Sequence, residues 1–118
     1  MKSDLPYLRL VNESIDKIFE YLNGCTEHEF YNDDQMKDAC LTRLIVIGEY
    51  GSKISETLRT KFSEIEWQQI KAARNFYVHL YNHIDWTKVW DTIQDDLPDL
   101  KIKVEKDFIT IILNASVN

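Results

Sequence analysis

Apolar residues recur every three or four positions along most of the chain, which is the period of an amphipathic α-helix. In the first segment this stripe is formed by Leu8, Val11, Ile15, Ile18, Phe19 and Leu22. Pro6 suits the first turn of a helix and Gly24 suits its C-terminal cap, so a helix is predicted over about residues 5–23. Thr26 and Glu29 have the spacing of a capping box, which predicts a short helical turn next.

The helical period continues through the middle of the chain. It predicts a second helix over about residues 34–58, in which Gly48 and Gly51 indicate close contact with another helix. A second capping-box pattern at residues 63–66 precedes a third helix, predicted over about residues 65–81. The middle of the chain therefore supplies two long helices.

The last third of the chain carries one shorter and one longer helical pattern. Asp85 can cap a helix over about residues 86–93, and Pro98 is predicted to break or restart the final helix. The apolar stripe of that helix is Leu100, Val104, Phe108, Ile111 and Ile112. With only 3 Gly and 2 Pro, the 118 residues lack the turn residues of an all-β domain. We expect a single all-α domain over residues 1–118, an antiparallel bundle of four long helices plus a short one.

Composition and charge narrow the classes of protein. A net charge of −6 disfavours nonspecific nucleic-acid binding, although the segment 41–83 carries six basic and four acidic residues and is therefore positive. No apolar stretch approaches the roughly 18 residues of a membrane span, and the N-terminus has no secretory apolar core. Cys25 and Cys40 lie in no metal-binding or redox motif. We expect a cytoplasmic protein with two reduced thiols and no membrane contact.

The segment 74–81, RNFYVHLY, carries the candidate chemistry. At about 100° per residue, Arg74, Asn75, His79 and Tyr81 share one broad arc of the third helix. A solvent-facing polar arc is one interpretation of this pattern. The other interpretation is a site, because an arginine can bind phosphate oxygens and a histidine can transfer a proton near neutral pH. Together they could cleave RNA without a metal.

A single histidine can act as the base or as the acid at one moment, but cleavage of a phosphodiester needs both. A symmetric dimer with the third helix at its two-fold axis would supply a second arginine and a second histidine. His79 and His83 are four residues apart and could in principle clamp a metal, but they lack the intervening glutamate of an HExxH motif. We expect no metal, and His28 is interpreted as a solvated loop residue.

The segment Arg74-Asn75-x-x-x-His79-x-Tyr81 resembles the R-x-x-x-x-H-x-Y signature of the HEPN superfamily. Further similarities to its HepT-like family are Ile-Gly-Glu-Tyr at 47–50, the region of Trp67, Ile-Asp at 84–85, Val-Trp at 89–90 and Asp-Leu-Pro at 96–98. These blocks extend from the second helix to the last.

The resemblance implies an all-α homodimer that cuts RNA without a metal or another cofactor. It further implies the toxin half of a prokaryotic toxin–antitoxin pair, whose antitoxin is a minimal nucleotidyltransferase that attaches ATP-derived AMP to the motif tyrosine. Arg74 would then bind phosphate, His79 would do acid–base work, Asn75 would orient the site and Tyr81 would be modified. Tyr77, His83, Tyr50 and Glu49 are candidates to line the cleft, and Glu49 is interpreted either as the partner of an arginine or as a solvated residue.

An alternative remains open from the residues themselves. A non-catalytic helical dimer could use the same polar cleft to bind a nucleotide or a partner nucleotidyltransferase, because such a cleft also needs an arginine. Cleavage of RNA distinguishes the two hypotheses.

Overall fold

The computed structural model describes residues 2–79 and 81–117; the side chains of Lys2, Phe76, Val78, His79, Tyr81 and 115–117 lie outside that description. Four long helices dominate it: α1 (Leu5–Tyr21), α3 (Asp34–Gly51), α5 (Trp67–His79) and α7 (Leu97–Val117). Three short α-helices lie between them: α2 (Glu27–Tyr31), α4 (Glu56–Lys61) and α6 (Trp86–Asp91). The all-α prediction is confirmed, and the described residues form no strand. The expected single short helix is corrected to three.

The long helices pack in an order that places α1 at the centre. α1 packs against α3 on one side and α7 on the other, while α5 packs on the outer side of α3. Leu8, Val11, Ile15 and Ile18 of α1 are almost completely buried, as the stripe predicted. Lys101 of α7 adds a polar link, since its Nζ lies 2.7 Å from Asn12 Oδ1 and 2.8 Å from Asp16 Oδ1.

Side-chain caps fix several helix starts where the sequence predicted them. Thr26 and Glu29 form the capping box of α2, with hydrogen bonds of 3.1 Å and 3.0 Å. Asp33 accepts a bond from the backbone of Met36 at the start of α3, and Asp85 caps α6 through the backbone N–H groups of residues 87 and 88. Each cap satisfies amide groups that the first turn leaves without an intrahelical acceptor.

The prediction of one helix over residues 34–58 is wrong. α3 ends at Gly51, and α4 begins after Ser55, whose side chain accepts a bond from the Leu58 amide. The buried carboxylate of Asp4 receives bonds from the Ser55 amide at 2.8 Å and the Ser55 hydroxyl at 2.7 Å. A contact between residues 51 positions apart therefore stabilises the break between α3 and α4. The local apolar period does not indicate this contact.

The predicted boundary near Pro98 is a change of helix type. A π-helical segment, Thr92–Asp96, joins α6 directly to α7, and Pro98 lies in the first turn of α7. Proline has no N–H, so it is tolerated in a first turn, and the wider π turn lets the chain remain helical. No helix in the described part of the chain has the length and apolarity needed to cross a membrane.

Candidate functional site

Gly48 is the point at which α3 and α5 approach most closely beside the predicted site. A Cβ atom at Gly48 would overlap Cβ and Cγ of Arg74 and would lie 3.2 Å from its Cα. One turn further on, a Cβ at Gly51 would lie 3.0 Å from Cγ2 of Ile70. The two glycines thus confirm the predicted close helix contact, and the glycine nearer the middle of α3 provides space for Arg74 itself.

The guanidinium of Arg74 is held at both of its ends. Nη2 forms an ion pair of 2.7 Å with Glu49 Oε2, and Nη1 donates a 2.8 Å hydrogen bond to Asn75 Oδ1. Nε is buried and has no hydrogen-bond partner within the described part of the protein. Of the two interpretations of Glu49, the structure therefore favours the arginine partner. These two contacts use two of the five N–H donors of a planar phosphate-binding group, and the buried Nε–H is one of the three that remain.

Tyr77 connects α5 to the π segment. Its side chain hydrogen-bonds with Thr92, and burial raises the pKa of its phenol, with Asp96 contributing in the same direction. A tyrosine held as the neutral phenol anchors α5 near its C-terminal end and is a hydrogen-bonding side chain three residues after Arg74.

For the remaining motif residues the structure describes only the backbone. His79 is the last residue of α5, and Tyr81 begins a 3₁₀ turn, Tyr81–His83. Their side chains lie outside the described atoms, so the predicted meeting of Arg74, His79 and Tyr81 side chains stays a prediction. The five residues from Arg74 to His79 correspond to about 7.5 Å of helix rise.

The other two candidate cleft residues lie apart from the Arg74 ion pair. Tyr50 stacks on Tyr7 of α1, with ring centroids 6.0 Å apart, and Lys53 Nζ lies 5.2 Å from the Tyr50 ring centroid. His83 is exposed in the 3₁₀ turn. The sequence predicted Gly48 as a close helix contact but did not connect it with Arg74, and it did not identify Thr92 as a contributor to the site.

The described residues provide neither a cluster of metal ligands nor a reactive thiol at this site. No group of three or more His, Cys, Asp or Glu with metal-binding geometry occurs among the residues described. Cys25 and Cys40 are both free, and burial raises the pKa of the Cys40 thiol to about 12. A thiol with that pKa is protonated at neutral pH and is a poor nucleophile.

Comparison with known proteins places this arrangement in a family. The model of the family described as "Ribonuclease HepT-like" matches residues 11–106, which include α3, α5 and the Arg74–Tyr81 motif. The chain therefore belongs to the HepT-like ribonuclease family of the HEPN superfamily.

Particular relatives cover most of the chain. A protein of Thermococcus cleftensis named "Probable ribonuclease HepT" is 30% identical over 105 residues, covering 89% of this chain and 96% of the relative. Two relatives carry provisional names as RNases: MJ1380 of Methanocaldococcus jannaschii, 29% identical with 84% and 91% covered, and TTE0752 of Caldanaerobacter subterraneus subsp. tengcongensis, 26% identical with 90% and 95% covered. No solved structure matches the chain significantly.

Proposed function

We propose that this protein is a metal-independent endoribonuclease that acts as a homodimer and is the toxin of a toxin–antitoxin pair. The observation that carries the proposal is the placement of Arg74, on the helix that ends at His79: its Cβ and Cγ pack over Gly48, and its guanidinium contacts Glu49 and Asn75. Membership of a ribonuclease family supports RNA as the substrate.

In the proposed reaction Arg74 binds the scissile phosphate and stabilises the charge that develops on its oxygens. Each terminal nitrogen carries a second N–H beyond the one directed to Glu49 or Asn75, and these are the donors for that bond, while Asn75 fixes the plane of the guanidinium through Nη1. Catalysis depends on such donors being placed before charge develops.

His79 supplies the proton transfers. As a base it takes the proton of a ribose 2′-hydroxyl, whose oxygen attacks phosphorus while the bond from phosphorus to the leaving 5′-oxygen breaks. The partner subunit's His79, in its protonated form, gives a proton to that leaving oxygen, which leaves a 2′,3′-cyclic phosphate and a 5′-hydroxyl. Because one imidazole cannot hold both states at once, the dimer is part of the proposed site.

Tyr81 is the proposed control point. A nucleotidyltransferase partner transfers AMP from ATP to its phenolic oxygen and releases pyrophosphate. The adenylyl group adds bulk and negative charge two residues after His79, where an RNA phosphate would have to bind. Modification then neutralises the toxin by repulsion and steric exclusion.

The test is RNA cleavage in the presence of a chelator by wild type and two variants. We expect cleavage to persist in the chelator and to fall by about 10²-fold or more in both Arg74→Ala and His79→Ala, because each removes a charge-stabilising or proton-transferring group. Lys71→Ala, on the exposed part of the same helix, is the matched control and should cleave like wild type.

Two outcomes would contradict the proposal. Activity lost in chelator and restored by a divalent ion would exclude metal independence. A dimer with Tyr81 shown by mass spectrometry to be unmodified, which binds RNA or nucleotide but never cuts, would support the non-catalytic binding module instead.

A second prediction isolates the positioning role of Glu49. Glu49→Ala should lower cleavage about tenfold or more, because a misplaced guanidinium loses transition-state contact. The same change should alter the free energy of unfolding by less than about 1 kcal/mol, since the pair is partly exposed and screened by water. Urea unfolding and the rate at saturating RNA measure the two effects separately.

Glu49→Gln keeps an oxygen acceptor for Nη2 and should recover part of the activity. Glu20→Ala removes the acid of an exposed ion pair with Lys17 and serves as the control. Equal losses of activity in Glu49→Ala and Glu20→Ala would contradict the positioning role.

A further inference from the structure

A cleft of about 450 Å³ lies between α5 and the segment formed by the π turn and the start of α7. Its apolar surface comes from all three sides: Leu44 and Ile47 of α3, Ile70 and Ala73 of α5, and Leu97 and Leu100 of α7. Tyr77 and Thr92, which hydrogen-bond across the gap, line one part of it. The volume falls in the range of pockets that accept ligands, about 300–1,000 Å³. We call it the acidic cleft because carboxylates surround it.

Charges of one sign surround the apolar part of the acidic cleft. Four exposed acids line it, Glu66, Asp95, Asp96 and Asp99, against the single lysine Lys103. Lys103 Nζ lies 2.9 Å from Asp99 Oδ2, so its charge is already matched. The lining therefore has a net charge of −3, half of the −6 carried by the whole chain.

The helices around the acidic cleft leave an incomplete layer. α5 packs extensively on α3, but within the described residues it meets α7 only sparsely. Ile70, Ala73 and Leu100 are consequently left partly exposed between them, above the buried side chains of Leu44, Ile47 and Leu97. An apolar floor with a charged rim is the usual anatomy of a surface that receives another polypeptide.

The negative charge of the acidic cleft indicates which kind of molecule could bind there. An RNA backbone would meet four carboxylates, whereas the cationic Arg74 is turned to Glu49 on α3 and does not line the cleft. A two-fold contact of a second copy at this cleft would bring two acidic rims together. A partner segment with leucine-like residues for the floor and lysine or arginine for the rim matches both properties.

We propose that the acidic cleft docks a basic amphipathic helix of a partner protein. The proposal is independent of RNA cleavage, because none of the cleft residues belongs to the Arg74–Glu49–Asn75 group. It nevertheless bears on that group, since Gly48 and Ala73 line the cleft and also adjoin Arg74. A docked helix would therefore lie next to Gly48, over which the Cβ and Cγ of Arg74 pack.

The test uses two synthetic helical peptides with the same leucine positions, one with lysine and arginine beside them and the other with glutamate. Fluorescence anisotropy should show binding of the basic peptide alone, and amide NMR shifts should concentrate at Ile70, Ala73 and Leu100. The double variant Asp95→Lys/Asp96→Lys should weaken that binding at least tenfold, about 1.4 kcal/mol.

Glu13→Lys/Glu20→Lys on the exposed face of α1 makes the same change in net charge and should bind like wild type. Circular-dichroism melts check that all variants fold. Equal weakening in both double variants would overturn the proposal, because binding would then follow overall charge. Spermidine that displaces the peptide at the same amides, or a short single-stranded RNA that shifts them, would overturn it in favour of a small cation or nucleic acid.

Discussion

Gly48→Ala is expected to damage both the fold and the site. The new Cβ would overlap Cβ and Cγ of Arg74 and approach its Cα, and a backbone atom cannot rotate away as the end of a side chain can. Overpacking of this kind costs about 1–3 kcal/mol in free energy of unfolding. We expect α5 to shift outward, to separate Arg74 from Glu49, and to lower RNA cleavage more than tenfold.

Gly51→Ala provides the matched control on the same helix. Its Cβ would meet only Cγ2 of Ile70, a side-chain atom at 3.0 Å that can move by a few tenths of an ångström. Gly48→Ala gains about 1 kcal/mol of helix propensity in the helix interior, and Gly51→Ala, at the last residue of α3, gains less. Propensity therefore favours Gly48→Ala, and a greater loss of stability in that variant measures the contact with Arg74. Urea unfolding and cleavage rates give that difference, and equal behaviour of the two variants would show that the Arg74 contact carries no special weight.

Asp107→Asn is expected to stabilise the protein at pH 8 by up to about 4 kcal/mol. Asp107 on α7 is completely buried, no N–H or hydroxyl group donates to either of its oxygens in the described structure, and the group beside it is the carboxyl of Glu64, with which it can share a hydrogen bond only when one of the two is protonated. Burial raises the pKa of its carboxyl to about 7, the neighbouring Glu64 adds to the rise, and Lys106 opposes it. From an ordinary value of 3.8, three units at about 1.4 kcal/mol each give the upper figure.

The direction with pH follows from proton binding. Between pH 4 and 7 the folded protein holds a proton on Asp107 that the unfolded chain has released, so this group lowers stability as the pH rises. The cost is complete above about pH 7 and absent below about pH 4. The asparagine variant should therefore gain most at pH 8 and lose its advantage toward pH 4.

Thermal or urea unfolding across that pH range measures the effect. Asp95→Asn, which replaces an exposed carboxylate, should leave the stability curve close to that of wild type. A wild-type stability that rises between pH 5 and 8, with no gain in Asp107→Asn at the upper end, would contradict the buried, raised carboxyl.

The sequence predicted those parts of the structure whose cause is local. The capping box at Thr26 and Glu29 and the cap at Asp85 act within four residues. Once α1 forms a helix, its apolar stripe defines the face that is buried. The end of α3 was missed because the apolar period runs on to Ile54, past Gly51, and because the cap residue Ser55 is also held by Asp4 from 51 positions away. The π turn before Pro98 was missed because proline indicates a boundary without indicating its type.

For the candidate site, too, the sequence predicted the local features and missed those that depend on contacts between helices. The spacing of Arg74 and His79 and the resemblance to a family came from the sequence alone. The choice of Glu49 as the arginine's partner required the register between α3 and α5, which Gly48 sets by steric fit. A helical wheel places residues on a face but cannot say which neighbour that face meets. The acidic cleft likewise arises where α5 and α7 meet only sparsely among the described residues, and no single helix encodes it.

The ion pair between Arg74 and Glu49 has a consequence for how substrate enters. Before RNA arrives, the central cation of the site is already compensated, in a chain that is acidic overall. In the proposed function Glu49 stays in place as the positioning partner, so the phosphate meets a guanidinium whose charge is already matched, and little long-range attraction precedes the contact. Binding of RNA at such a site would depend on complementary shape at contact distance. Nucleic acids that do not adopt that shape would not be bound.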